Sequence, residues 1–272
     1  MDTRAFELAR LAEAAQRHGE GYRQARPYPH AVVDGLFSEA TLRQVLAEFP
    51  PLGANPWQST QHAAERKLST PEEAHFGPAT RRLFHELNSA SFINFLEALT
   101  GISGIVPDPH LIGGGLHQTV RNGLLKVHVD FNRHPTLQLD RRLNVIVYLN
   151  EDWREEYGGH LEIWDREMKQ SVERVLPIFN RCVVFSTSRH SFHGHPDPLT
   201  CPEGRSRKSL ALYYYTNGRP AEDDPVEHGV VFRDRPGDRG AAIWRLRGAI
   251  QPWVPPALWS LASGLVRRSR RP

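Results

Sequence analysis

The amino-acid sequence predicts a mainly β domain (a sandwich, jelly roll or barrel) with helices packed on one side. Two observations carry this. Up to about residue 100 the apolar residues recur at helical spacing, and from about residue 103 the period changes to two. The β-rich runs beyond that point are short and are divided by Gly, Asn, Asp and Pro. A third observation bounds the class. With 39% hydrophobic and 24% charged residues over 272 positions, the chain suits a soluble domain with a real core, which excludes global disorder.

The elements follow in chain order. Residues 3–17 carry Phe6, Leu8, Ala9, Leu11, Ala12 and Ala15 at roughly helical spacing. Pro27 to Phe37 reads as a short strand and a turn. Ser38 then caps a helix that Pro50 and Pro51 stop. Residues 53–77 read as a polar loop. A helical pair follows, in which Phe92, Phe95, Leu96 and Leu99 fall at i, i+3, i+4 and i+7, and Gly101 supplies the C-terminal stop. Strands are expected within 111–120, 123–131, 142–150, 158–165, 170–176, 181–187 and 208–216. Gly113, Gly114 and Gly115 lie in the first of these and mark a bulge or a close approach of backbones. After Asn217 the chain turns rich in Pro, Gly and charge, and a helix over 255–268 would pack Leu258, Trp259, Leu261, Leu265 and Val266 on the body. The organisation is therefore one structural domain in three parts. Residues 1–108 form helical support with a leading strand, 109–218 the β core, and 219–272 C-terminal loops and a helix.

Charge and cysteine content narrow the partners. Lys plus Arg exceed Asp plus Glu by 34 − 31 = 3, a small excess that gives no reason to expect a nucleic-acid partner. Arg267, Arg268, Arg270 and Arg271 supply part of it and read as a solvated terminus. No run of apolar residues is long enough to span a membrane, and the first twenty residues lack the apolar centre of a secretory peptide. Two cysteines, Cys182 and Cys201, make no disulfide framework, so a cytoplasmic location is expected.

The 14 histidines are where chemistry is to be sought. The pattern His-x-Asp occurs twice, as His128-Val129-Asp130 and His195-Pro196-Asp197. On a strand, residues i and i+2 share a face, so His128 and Asp130 would project together into a barrel; the proline turn at 195–197 lacks that alternation. Taken alone, His128 and Asp130 equally suit a buried ion pair at a strand end. Sixty-three residues beyond Asp130, past another apolar strand, stand His190, His193 and His195, with Gly194 between the last two. Two His and one carboxylate on one face of a divalent ion, with three positions open, form a facial triad. Arg207 and Ser209 alternate onto one face of the last strand, where a guanidinium and a hydroxyl suit capture of a carboxylate. Zinc hydrolysis on the same ligands remains open at this point, as does a silent binding fold.

These motifs resemble those of the Fe(II)/2-oxoglutarate-dependent dioxygenase superfamily, in its prolyl-4-hydroxylase-like branch, between about Gly113 and Thr216. The hypoxia-sensing prolyl hydroxylases are particularly similar. The family's His-x-Asp resembles His128-Val129-Asp130. Its tyrosine strand before a Gly-Gly turn resembles Tyr148 to Trp153 followed by Gly158, Gly159 and Leu161. Its strand to the distal histidine resembles Asn180 to Phe185, then Ser188 and Arg189, reaching His193 in register, and its co-substrate arginine resembles Arg207. The loop from His193 to Arg207 is longer than usual, which leaves Arg205 as a second candidate.

The resemblance implies a double-stranded β-helix, the cupin-like jelly roll. It implies Fe(II) on His128, Asp130 and His193. It also implies 2-oxoglutarate as co-substrate, its far carboxylate on Arg207 with Ser209 and Tyr148 and its stem against Leu161. O2 takes the last position, and ascorbate serves as a supporting reductant. The implied reaction is hydroxylation of a small-molecule, amino-acid or prolyl-type C–H bond with release of succinate and CO2; desaturation or ring closure on the same scaffold is the alternative. Substrate contacts would come from 53–77, 131–141 and 219–240. Within them Asn132, Arg133, His134 and Arg141, with the adjoining Arg142, hint at a polar or anionic substrate and equally suit a solvated loop.

Overall fold

The computed structural model describes residues 4–54, 57–220 and 226–238. The expected helix over 255–268 and the terminal arginines lie outside them. The described chain runs α1 (Leu8–Gln24), β1 (His30–Asp34), α2 (Glu39–Ala47), β2 (Gln58–His62), β3 (Glu65–Thr70), α3 (Pro78–Leu87), α4 (Ala90–Thr100), β4 (Val106–Pro107), β5 (Gly115–Val120), β6 (Leu124–Val129), β7 (Asp140–Tyr148), β8 (Leu161–Trp164), β9 (Ser171–Val175), β10 (Arg181–Ser186), β11 (His193–His195), β12 (Ser206–Thr216) and β13 (Val231–Phe232). Residues up to Arg233 form one compact unit and those from Asp234 another. Of the second, 234–238 are described, and there Arg235 pairs with Asp238 at 3.2 Å. No helix among the described residues is long and apolar enough to cross a membrane.

The strands pair antiparallel in the order β1-β10-β7-β12-β5-β3-β6-β11-β8-β9. This is a double-stranded β-helix of two limbs, β1 to β5 and β6 to β9, bridged by β3. The larger limb is largely buried on both faces, one against the helices and one toward the smaller limb. Leu143, Val145 and Val147 of β7, Cys182 and Val184 of β10, and Leu210, Leu212 and Tyr214 of β12 pack in one core with the helices. The alternate residues Ile146, Tyr148, Val183 and Phe185 turn inward and meet Leu161, Ile163 and Val175 of the smaller limb. A one-residue slip in any of these strands would exchange the two faces, so the apolar pattern fixes the register.

The helices supply the outer wall. The Ser38 side chain accepts from the Thr41 amide at 3.4 Å, capping α2 as expected. α4 buries Phe92, Phe95, Leu96 and Leu99, and Gly101 ends it in a left-handed conformation.

The reading of 53–77 as a polar loop is corrected. Residues 58–70 form a hairpin, and β3 pairs with β5 through Leu68–Thr70 and with β6 through Glu65 and Arg66. The hairpin is polar because one side is solvated, and period two is hard to see in a run with so few apolar residues. Backbone approach at Gly115 bears out the expectation for the glycine run. A Cβ there would lie 2.3 Å from the Thr70 carbonyl oxygen, so a side chain would drive β3 off β5.

Candidate metal centre and co-substrate pocket

The pocket lies between the two limbs. From the larger limb come His117, Thr119, Asn144, Ile146, Arg207, Ser209, Ala211 and Tyr213; from the smaller come Leu125, His128, Asp130, Leu161, His193 and His195; β3 adds Lys67. Pairing of β6 with β11 sets His193 directly opposite His128. Gly194 permits this, since a Cβ there would sit 2.8 Å from the carbonyl oxygens of Leu125 and Lys126.

His128, Asp130 and His193 form one cluster whose ligand atoms all lie within 4.8 Å of one another. His128 Nε2 is 3.5 Å from Asp130 Oδ1, and His193 Nε2 is 3.4 Å from Asp130 Oδ2. Each Nδ1 is occupied at 2.9 Å by a backbone carbonyl, Lys126 for His128 and Ser191 for His193. That contact fixes the tautomer with Nδ1–H donating and leaves Nε2 as a lone pair aimed at the shared centre. Burial lowers His193 to about 4, so it is a neutral imidazole at physiological pH. Burial pushes the Asp130 carboxyl up, but the Arg141 guanidinium and the two histidines hold it well below the usual carboxylate range. Two imidazoles and one carboxylate are the donor set a divalent iron takes. His190 and His195 fall outside the cluster.

Sequence reasoning missed what holds Asp130. Arg141 Nη2 lies 3.0 Å from Asp130 Oδ2, and Asn144 Nδ2 donates to the same oxygen at 2.7 Å. Arg141 also donates from Nε and Nη2 to Asn144 Oδ1, at 3.0 and 2.7 Å. Its guanidinium lies over the rings of Tyr213 and Phe131, 3.4 and 4.6 Å from their centroids. The residue is fully buried, so it belongs to the support of the site and not to a substrate-facing loop. A bulge brings it there. The register of β7 with β12 slips between Tyr214 and Tyr215, which moves Arg141 out of the alternation that runs from Leu143. His134 is likewise internal: its Nδ1 accepts from the amides of Thr136 and Leu137, and its Nε2 faces Asp108 at 3.4 Å. Asn132 binds the backbone of Val226 and His228.

Arg207 stands at the other end of the pocket, 6% exposed. Its Nε donates to the Gly159 carbonyl at 2.8 Å and its Nη2 to the Tyr148 hydroxyl at 3.1 Å. Ser209 and Leu161 line the same space. Tyr148 is fully buried, and its hydroxyl, accepting from Arg207, orients the guanidinium. Arg205 donates to the Glu151 carbonyl at 2.7 Å and does not line the pocket.

Comparison with known proteins agrees with this geometry. Residues 114–215 match the family model described as the 2OG-Fe(II) oxygenase superfamily. Over those residues the β core is similar to that superfamily. Prolyl 3-hydroxylase OGFOD1 of Mus musculus is 34% identical to this chain over 79 residues, 28% of this chain and 14% of that protein. The chain thus spans about a seventh of the curated relative's length. Among solved structures, a prolyl-4-hydroxylase of Pseudomonas putida matches with a TM-score of 0.51 at 16% identity, covering 78% of this chain and 100% of that one. A prolyl hydroxylase of Trichoplax adhaerens, in complex with a hypoxia inducible factor oxygen degradation domain peptide, matches with a TM-score of 0.55 at 16% identity over 77% and 93%. At that identity the likeness is one of fold, the double-stranded β-helix.

Proposed function

We propose that this chain is an Fe(II)- and 2-oxoglutarate-dependent dioxygenase that hydroxylates an unactivated C–H bond of a small molecule, an amino acid or a prolyl-type residue. The observation that carries the reading is the shared pocket. A three-ligand divalent-metal site and a buried arginine face the same space from opposite ends. Bound iron, 2-oxoglutarate and O2 supply the oxidation, with succinate and CO2 as co-products.

The protein's residues do the rest. His128, Asp130 and His193 hold the metal on one face. Arg141 and Asn144 keep the Asp130 carboxylate aimed and ionised. Arg207, oriented by Tyr148 and Gly159, takes the far carboxylate of the co-substrate, with the Ser209 hydroxyl as a further donor. Leu161 and Ile146 give apolar walls that exclude water from the stem. Similarity over 79 residues to a protein named a prolyl 3-hydroxylase makes peptidyl proline the first substrate class to test. A cytoplasmic location belongs to the same reading and is supported by two buried free thiols, Cys182 and Cys201.

The test incubates purified protein with iron, ascorbate and 2-oxoglutarate against metabolite and peptide panels. It scores succinate and products heavier by one oxygen. His128→Ala and Asp130→Ala should abolish succinate formation; turnover like wild type in either would refute the ligand assignment. Hydrolytic activity with zinc that needs no 2-oxoglutarate would replace the reading.

A further inference from the structure

The β2–β3 hairpin places one cation in the pocket that the function above does not use. β3 bridges the two limbs, and Lys67 sits between its β6-paired end and its β5-paired end. Leu68 is opposite Gln118 and Arg207 is opposite Thr119, so Lys67 and Arg207 come to the same depth on either side of β5. His195 reaches that depth from the other limb, where it is paired with Leu125, itself opposite Glu65. Lys67, Thr119, His195 and Arg207 all line the cavity there.

This end of the pocket is rich in polar atoms that await a partner. His195 Nδ1 and His117 Nε2 are buried with no hydrogen bond. Buried polar atoms of this kind are rare in folded proteins, because each loses its water without compensation. Burial, with the charges of Lys67 and Arg207 nearby, holds the His117 imidazole well below its ordinary value. The Lys67 ammonium is 17% exposed and lies 3.0 Å from Glu65, two residues away on the same strand face. Among the described residues lining the cavity, Asp130 is the one carboxylate, and it belongs to the metal end. The deep end thus holds two cationic side chains, Lys67 beside Glu65 and Arg207, and two imidazoles that each keep one ring nitrogen unbonded, a composition complementary to a carboxylate.

We propose that Lys67 is a second cation for the far carboxylate of the co-substrate, with His195 as an added hydrogen-bond partner, so that a bound dicarboxylate clamps the β2–β3 hairpin across the two limbs. This rests on the 2-oxoglutarate reading above. It makes hairpin order and co-substrate occupancy reciprocal: whatever binds the pocket through a far carboxylate stabilises β3, and whatever loosens β3 weakens that ligand.

The test uses the whole chain loaded with Mn(II) in place of iron. Affinities are measured by calorimetry, and backbone protection of 58–70 by amide hydrogen exchange. The two ligands are 2-oxoglutarate and pyruvate, a 2-oxo acid without the far carboxylate. In wild type, 2-oxoglutarate should protect the amides of 65–70 and pyruvate should not. Lys67→Met should weaken 2-oxoglutarate about ten- to a hundredfold, leave Mn(II) and pyruvate binding unchanged, and remove the protection. Lys67→Arg should retain most of both effects, and His195→Val should weaken 2-oxoglutarate while sparing pyruvate. Equal protection by the two ligands in wild type overturns the proposal without any variant, as does 2-oxoglutarate binding within about twofold of wild type in Lys67→Met. Arg207→Ala separates the two levels. If it weakens 2-oxoglutarate and Lys67→Met does not, the hairpin inference fails alone; if neither matters, the co-substrate assignment fails with it.

Discussion

Replacing Arg141 by methionine tests whether the metal site is built from the second layer inwards. Methionine keeps much of the volume between Phe131 and Tyr213 but removes the charge beside Asp130 and both donors to Asn144 Oδ1. Breaking a buried pair by removing one partner typically costs about 3–5 kcal/mol, because the other charge is left uncompensated. At roughly 2–4 °C per kcal/mol for a domain of this size, the metal-free protein should melt about 6–20 °C lower. The Asp130 carboxyl, no longer held down, should rise toward protonation. Metal affinity should fall about ten- to a hundredfold, the usual effect of losing an outer partner of a ligand. Arg141→Lys should be intermediate, since an ammonium keeps the charge but cannot fork between Asp130 and Asn144. Asp130→Asn combined with Arg141→Met should recover part of the stability, as the orphaned charge is gone. The assays are denaturant unfolding without metal and calorimetric titration with Mn(II). A loss under about 1 kcal/mol with unchanged metal affinity would show that Asp130 is held by other groups.

Four further outcomes follow from the same geometry. Arg207→Ala should raise the apparent constant for 2-oxoglutarate by about two to three and a half powers of ten while sparing metal binding. Arg205→Ala should be mild, because its guanidinium serves the Glu151 carbonyl outside the pocket; a reversal between the two arginines in 2-oxoglutarate titrations would move the anchor. Gly194→Ala should cost about 1–3 kcal/mol and weaken metal binding, since the new Cβ meets the β6 backbone between the paired histidines. Equilibrium unfolding and Mn(II) titration read both effects, and a stable, tightly binding variant would contradict the close approach. The His30–Glu173 contact at 2.6 Å gives a pH signature. Burial pulls the His30 imidazole down, but its bond to Glu173 leaves it raised above 6.5, while the same bond lowers Glu173 below 4.5. Stability from a raised imidazole is complete below 6.5 and is lost as pH rises through its folded value; that from a lowered carboxyl is complete above 4.5 and lost on acidification. The Tm difference between wild type and Glu173→Gln should therefore peak between those two values, and a difference that grows above neutral pH would exclude the pair as its source.

Local pattern carried much of this protein. Alternation alone put Arg207 and Ser209 on one face, as both line the pocket. The His-x-Asp spacing put His128 and Asp130 together because two residues on a strand share a side, and the strand ends only at Val129. The helices at 39–47 and 90–100 were legible for the matching reason, since apolar period and caps are encoded within a few neighbouring residues, whereas the helix expected over 3–17 begins at Leu8 and runs on to Gln24.

What tertiary structure alone decided is which distant backbones meet. β11 pairs with β6 so that His193 stands opposite His128 and His195 opposite Leu125, and a three-residue strand carries too little pattern to show its own register. Arg141 became the support of Asp130 through a bulge, which breaks the alternation on which any reading from sequence rests. Tyr148 meets Arg207 because β7 pairs with β12 at Ser209. Lys67 entered the pocket because a polar hairpin joined the sheet between β5 and β6. Its pairing is made by backbone hydrogen bonds that every sequence possesses, so the side chains of 58–70 gave no sign of where that strand would be placed.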